Sequence, residues 1–190
     1  MDDLFNILKG CHHKEHKYQK ILYGRYYGFA LKTVFRYIYH YENALDVTTD
    51  GFVKLFNTFE RFEPGSPGST EQILMGYIKR IMINTAIDFL RKRKMIPEIG
   101  TIPDHIWEVT DSNKDADQNL LYKDLIKIIK QLSPKYRSVF NLYVIDGYNH
   151  LEIADILKIS VGTSKSCLSR ARVMLQNSIK QIEEAVECKM

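Results

Sequence analysis

Apolar residues recur at helical spacing along most of the chain, and the elements they outline predict an all-α protein. The clearest pair comes late. Leu151, Ile153, Ala154 and Leu157 outline a short amphipathic helix, a break follows at Lys158–Gly162, and a second helix starts at or just after it. Ser164, Leu168, Ala171 and Leu175 continue at steps of four, three and four, which predicts a stripe that faces inward. Lys165, Ser166, Ser169, Arg170 and Arg172 then project away from the core, with Thr163 beside them at the start of the same helix. Two helices joined by a short turn, with a small Ala where they cross and a basic, hydroxyl-rich second member, make a helix-turn-helix that binds duplex DNA.

Upstream, Leu22, Tyr26, Phe29, Thr33 and Tyr37 keep near-helical spacing inside an aromatic segment, Tyr18–Tyr41. Most of these rings therefore belong to a core rather than to a platform for unstacked bases. Residues 42–60 outline a clearer amphipathic helix, with Leu45, Thr48, Phe52, Leu55, Phe56 and Phe59 on one side. Asp46, Thr49, Asp50, Val53 and Asn57 share another face, which is either simply solvated or a docking surface for a basic or mixed-charge partner helix. Glu63–Thr70, with two Pro-Gly and Gly-Ser breaks, carries the strongest loop signal.

Glu71–Lys94 is apolar on two sides: Leu74, Ile78, Ile81, Thr85 and Phe89 form one stripe, Ile83, Ile87 and Leu90 another. Such a helix is held between neighbours. Arg80, Asn84, Asp88 and Arg91 follow one another at steps of four, four and three and line one ridge, which runs into the cations Arg91–Lys94. Cations there suit the helix dipole. A ridge of Arg, Asn and Asp ending in positive charge is also what contact with phosphates and base edges requires.

Met95–Asn119 has no useful periodicity, holds Pro97, Gly100, Pro103 and Trp107, and is dominated by acidic residues. It reads as an acidic linker and a domain boundary. Leu120–Leu132 forms a helix, and Ser133 caps another that opens on Pro134 and ends at Gly147. The resulting organisation is two small helical domains, 1–94 and 120–190, joined by a tether over 95–119.

Composition narrows the class without deciding it. In 190 residues, 45% hydrophobic and 26% charged residues are those of a soluble globular protein, and a net charge of +4 permits a nucleic-acid partner without demanding one. Cys11, Cys167 and Cys188 lie far apart with no metal-ligand pairing, which fits a reducing cytoplasm. The first ten residues are too acidic for a signal peptide, and no apolar run approaches the ~20 residues that span a bilayer. Cys11, His12, His13 and His16 invite a metal reading, but neighbouring His residues diverge on a helix and no second ligand group follows. The segment reads as a solvated basic face, with no metal or cofactor expected. Without a phosphate loop or paired catalytic carboxylates, an enzyme is disfavoured.

Two separated runs then point the same way. LSPKYRSVFNLYVIDGYNHLEIADILKISVGTSKSCLSRARVML resembles region 4 of the extracytoplasmic-function (group 4) sigma factors of bacterial RNA polymerase, within the sigma-70 family. ENALDVTTDGFVKLF followed by YIKRIMINTAIDFLRKRK resembles their region 2. The resemblance implies a transcription initiation factor that binds core RNA polymerase and promoter DNA, uses no small-molecule substrate, and is held by an anti-sigma factor, in family terms a membrane-bound one. It implies polymerase docking by Asp46, Thr49, Asp50 and Val53. It places Arg80, Asn84, Asp88, Arg91 and Lys92 at the -10 element, with the Glu60–Gln72 loop holding a flipped base. Thr163, Lys165, Ser166, Ser169, Arg170 and Arg172 would read the -35 element. The rival reading is a two-domain helix-turn-helix regulator that acts without being a polymerase subunit. Three departures from the family pattern stand out: Lys158 at the usual turn Gly, Ser164 and Cys167 for a usual Val and a DNA-contacting Arg, and Thr48–Thr49 for the usual polar pair in the docking helix.

Overall fold

The structure, a computed structural model, describes residues 4–66, 68–95 and 128–187, and every regular element among them is helical. They fall into two compact units. The first holds α1 (Leu4–His12), α2 (His16–Phe35), α3 (Tyr41–Asn57), a single 3-10 turn (Phe59–Arg61) and, as far as Phe89, α4 (Thr70–Lys92). The second holds α5 (Pro134–Phe140), which widens into a π-helical turn over Asn141–Ile145, then α6 (His150–Leu157) and α7 (Val161–Glu187).

In the first unit the aromatic segment is core. Tyr26, Phe35, Tyr37 and Tyr39 are buried, and Tyr23 packs its ring 4.6 Å from that of Phe52 on α3. Side chains buried as fully as Leu22, Phe52 and Ile78 contribute about 1.5–3 kcal/mol each. Gly51 of α3 carries no Cβ because the buried Met82 thioether of α4 occupies that space. In the first turn of α4, Glu71 accepts hydrogen bonds from the Arg25 guanidinium at 2.8 Å and the Tyr26 hydroxyl at 3.1 Å, fastening α4 to α2.

The helix α1 was not outlined by the pattern, which shows only Leu4, Phe5, Ile7 and Leu8 before polarity takes over. It forms because Ile7, Leu8 and Cys11, at steps of one and three, bury one face against α2. The corner between them is tight. A Cβ on Gly10 would overlap the Tyr18 ring, and Lys14 takes a left-handed backbone at φ +60 so that the Glu15 amide can donate to the Gly10 carbonyl at 2.9 Å. Lys14 also pairs with Glu60 of the 3-10 turn at 2.8 Å, and that cation holds the Glu60 carboxyl below its ordinary range.

In the second unit Ile128, Ile129 and Leu132 pack with Ala171 and Leu175, flanked by Tyr136 and Phe140. Residues 128–131 are helical, as expected for the end of a helix over Leu120–Leu132; the rest of that helix, the acidic linker and Trp107 lie outside the described residues. The start of α6 has a full capping box. Asn149 Oδ1 accepts from the Leu151 and Glu152 amides at 2.9 and 3.0 Å, and Glu152 accepts from the Asn149 amide at 2.8 Å. Its end is the Lys158 turn, left-handed at φ +54, where the Ile159 amide reaches back to the Ala154 carbonyl at 3.0 Å. No described helix is long and apolar enough to cross a membrane.

Candidate nucleic-acid and polymerase interfaces

On α3, Asp46, Thr49, Asp50 and Val53 all lie exposed along one face, with the isopropyl of Val53 53% exposed among polar neighbours. Thr48 does not join them. It is fully buried and donates its hydroxyl to the Ala44 carbonyl at 2.7 Å, so the departure from the family's polar pair reaches the surface only through Thr49. On α4, Arg80, Asn84, Arg91 and Lys92 are exposed and Asp88 is half-buried. Asp88 also lies 3.8 Å from Lys54 of α3, so the ridge meets that helix at an ion pair.

Between these helices the loop is fastened from both ends. Phe62 is buried, with its ring 5.4 Å from Phe59 and 5.3 Å from Tyr77, and the Tyr77 hydroxyl donates to the Thr58 carbonyl at 3.1 Å. At the far end the Thr70 hydroxyl donates to the Ser66 carbonyl at 3.0 Å, and the Ser66 and Ser69 hydroxyls meet at 3.0 Å. Glu63, Pro64 and Gly65 stand exposed between those anchors.

On α7 the inward stripe is as expected: Ser164, Leu168, Ala171 and Leu175 are buried. Lys165, Ser166, Ser169, Arg170 and Arg172 are exposed together on the opposite side. Thr163 is half-buried, and its hydroxyl meets that of Ser160 at 2.8 Å while the Thr163 amide donates to Ser160, an N-terminal cap for α7. Arg170 donates to the Tyr136 hydroxyl at 3.4 Å, which raises the guanidinium pKa, and the Arg172 guanidinium lies 5.8 Å from the Tyr143 ring centroid.

Residues 22–95 match Sigma-70 region 2, and residues 122–175 match Sigma-70, region 4. The chain belongs to the sigma-70 family. Its members are the promoter-specificity subunits of bacterial RNA polymerase and have no catalytic activity of their own. Among named relatives, the chain is 24% identical over 175 residues to an ECF RNA polymerase sigma-E factor of Haemophilus influenzae, covering 85% of this chain and 87% of that one. It is 28% identical to the ECF RNA polymerase sigma factor SigW of Bacillus subtilis, over 78% of this chain and 81% of that one. The match to the ECF RNA polymerase sigma factor SigE of Mycolicibacterium smegmatis is 26% identical over 71% of this chain and spans about half, 51%, of that protein. In fold it is similar to the sigma factor RpoE of Bartonella quintana, solved with the anti-sigma factor NepR, with a TM-score of 0.55 and 23% identity over 85% of this chain and 96% of that one.

Against the family pattern, two expectations for this sigma factor are corrected. Cys167 does not share the exposed face of the cations: at three residues past Ser164 and four before Ala171 it lies on the buried side, 4% exposed. Leu151, expected on the apolar face of α6, is 72% exposed. Two residues before Ile153 it is rotated by about 200°, so Ile153 and Leu157 alone carry the buried face, with Ala154 half-buried beside them.

Cys11 is separated from the histidines by the α1 packing. The thiol is fully buried, while His12, His13 and His16 are exposed, and burial pushes the Cys11 pKa up to about 11. Missed altogether was the pairing of His150 with Ser164, whose Nδ1 and Oγ lie 2.9 Å apart. A hydroxyl on an inward stripe was the available signal, because it must find a partner.

Proposed function

We propose that this sigma factor docks on core RNA polymerase through the Asp46, Thr49, Asp50 and Val53 face of α3 and reads a promoter with both units. Residues 1–94 would act as region 2, 120–190 as region 4, and 95–119 as the acidic tether between them. In region 2 the Arg80, Asn84, Asp88, Arg91 and Lys92 ridge meets the -10 element, and the loop from Glu60 to Gln72 holds a base flipped from the non-template strand. Unstacking a base costs a few kcal/mol, which a pocket and nearby cations offset.

In region 4 the exposed face of α7 enters the major groove of the -35 element. Lys165, Arg170 and Arg172 supply cations, and Thr163, Ser166 and Ser169 supply hydroxyls. The observation that carries this reading is that Lys165, Ser166, Ser169, Arg170 and Arg172 are all exposed on α7 while its other side packs the core. The cytoplasm is the compartment where such a chain meets polymerase. A protein partner that covers one or both units, as NepR accompanies the Bartonella quintana factor, would be its anti-sigma factor.

Run-off transcription on fragmented genomic DNA, with core polymerase alone and with core plus this chain, tests the reading. Discrete chain-dependent transcripts are expected. A chain that binds DNA specifically without core, yet never makes core promoter-selective, would point to the free-standing regulator instead.

A further inference from the structure

Four side chains of the C-terminal unit follow one another from its core to its surface. Ser164, four residues into α7 and fully buried, has its Oγ 2.9 Å from Nδ1 of His150 at the start of α6. The His150 ring stacks on Tyr143, centroids 4.7 Å apart and planes 26° apart. The Arg172 guanidinium lies 5.8 Å from the same Tyr143 centroid. Ser164 and Arg172 sit eight residues, or about 12 Å, apart on one helix, and the two rings bridge that distance from outside it.

We propose that Tyr143 and His150 are positioning residues for promoter reading by α7: His150 sets the first turn of α7 against α6 through Ser164, and Tyr143 holds Arg172 ready for DNA. The proposal rests on the reading of α7 as the -35 helix. Its first half follows from burial. A hydroxyl on an inward stripe that lacks a partner is costly, so the orientation that lets Ser164 reach the imidazole is the one in which the two helices settle. Its second half follows from the backbone around Tyr143. The Asp146 amide donates to the Asn141 carbonyl at 2.9 Å, one residue wider than an α-turn, and Gly147 at φ +77 then reverses the chain. This widened turn brings the Tyr143 ring over the first residue of α6. A guanidinium held over that ring has fewer rotamers left to lose when it meets DNA.

The test uses the full-length chain assembled with core polymerase, on a promoter fragment selected from genomic DNA by that holoenzyme. Affinity is measured at a temperature where thermal melts show every variant folded. Tyr143→Leu is expected to weaken promoter binding about 2–5-fold, the range of an exposed cation–π contact, and Tyr143→Phe to retain it. In an Arg172→Ala background Tyr143→Leu should add no further loss, because the ring acts through that arginine. His150→Ala should lower both the melting temperature and the affinity; adding Ser164→Ala should restore melting but not affinity, which separates positioning from folding. Additive losses for Tyr143→Leu and Arg172→Ala, or unchanged binding by Tyr143→Leu while Lys165→Ala and Arg172→Ala both weaken it, would overturn the positioning role alone. If neither Lys165→Ala nor Arg172→Ala changes binding, the assignment of α7 as the DNA-reading helix is overturned and the proposal with it.

Discussion

The Lys158 ammonium lies 2.7 Å from the Asp155 carboxylate, across a turn in which Lys158 itself takes a left-handed backbone at φ +54 and ψ +49. The hydrogen bond from Lys158, and then its charge, hold the Asp155 carboxyl below its ordinary range. The residue that closes α6 in place of the family's usual Gly therefore accepts the strained backbone and uses its side chain to brace the same turn. Left-handed geometry costs an L-residue roughly 1–2 kcal/mol, and a Gly gives part of that back through the greater freedom of its unfolded chain. Lys158→Gly is expected to stabilise the C-terminal unit by about 0.5–1 kcal/mol, read as a higher denaturant midpoint at unchanged slope. In the same variant the Asp155 carboxyl should titrate at higher pH by NMR; an unmoved titration would mean that Lys158 is not its partner in solution.

Asp46→Arg places a cation in the middle of the exposed face of α3. If that face meets a basic or mixed-charge helix of polymerase, a like-charge contact there costs enough to weaken core binding by more than about tenfold. Fluorescence titration of labelled protein with core measures it. Asp46 and the exposed face of α7 belong to separate compact units, so the -35 affinity conferred by α7 should be unchanged.

Cys11 offers a chemical probe of the α1 packing. Burial raises its thiol from an ordinary 9.0 to about 11, and only the thiolate is nucleophilic. Iodoacetamide at pH 8 should leave Cys11 unmodified in the folded protein and alkylate it fully in denaturant, read by peptide mass spectrometry. The raised value also has a sign for stability. The folded state holds this proton more tightly than the unfolded chain, so its contribution is complete below pH 9 and is lost as pH rises towards 11. Cys11→Ser, which cannot ionise in that window, should flatten this alkaline loss.

Gly10→Ala should destabilise the first unit by about 1–3 kcal/mol, because the added methyl meets the Tyr18 ring rather than open space. Gly24, also helical, has nothing within reach of a Cβ, and Gly24→Ala is the matched control. It should be neutral or stabilising by up to about 1 kcal/mol through helix propensity.

The helices were legible in the sequence wherever one apolar stripe met one neighbour. The face of α3 and the stripe through Ser164 and Leu175 came directly from spacing of three and four. Legibility failed where a helix is short or bordered by more than one neighbour. In the eight-residue α6 a single rotation decides whether Leu151 faces in or out, and α1 buries only one narrow strip. The burial of Cys167 does not follow from a single stripe at spacing of three and four, because α7 packs against both α5 and α6 and buries a broader face. The His150–Ser164 contact joins residues fourteen apart on different helices, and no periodicity encodes such a pair.

The match to Sigma-70 region 2 begins at residue 22, yet the Lys14–Glu60 pair and the packing of α1 lie against the turn from which the proposed base-holding loop departs. The leading helix is thus a splint for that loop. Trimming the chain to the family boundary would remove α1 and the first six residues of α2, and with them one of the supports at the loop's root. DNA melting would then be expected to suffer before duplex recognition did, since the helix-turn-helix belongs to the other unit.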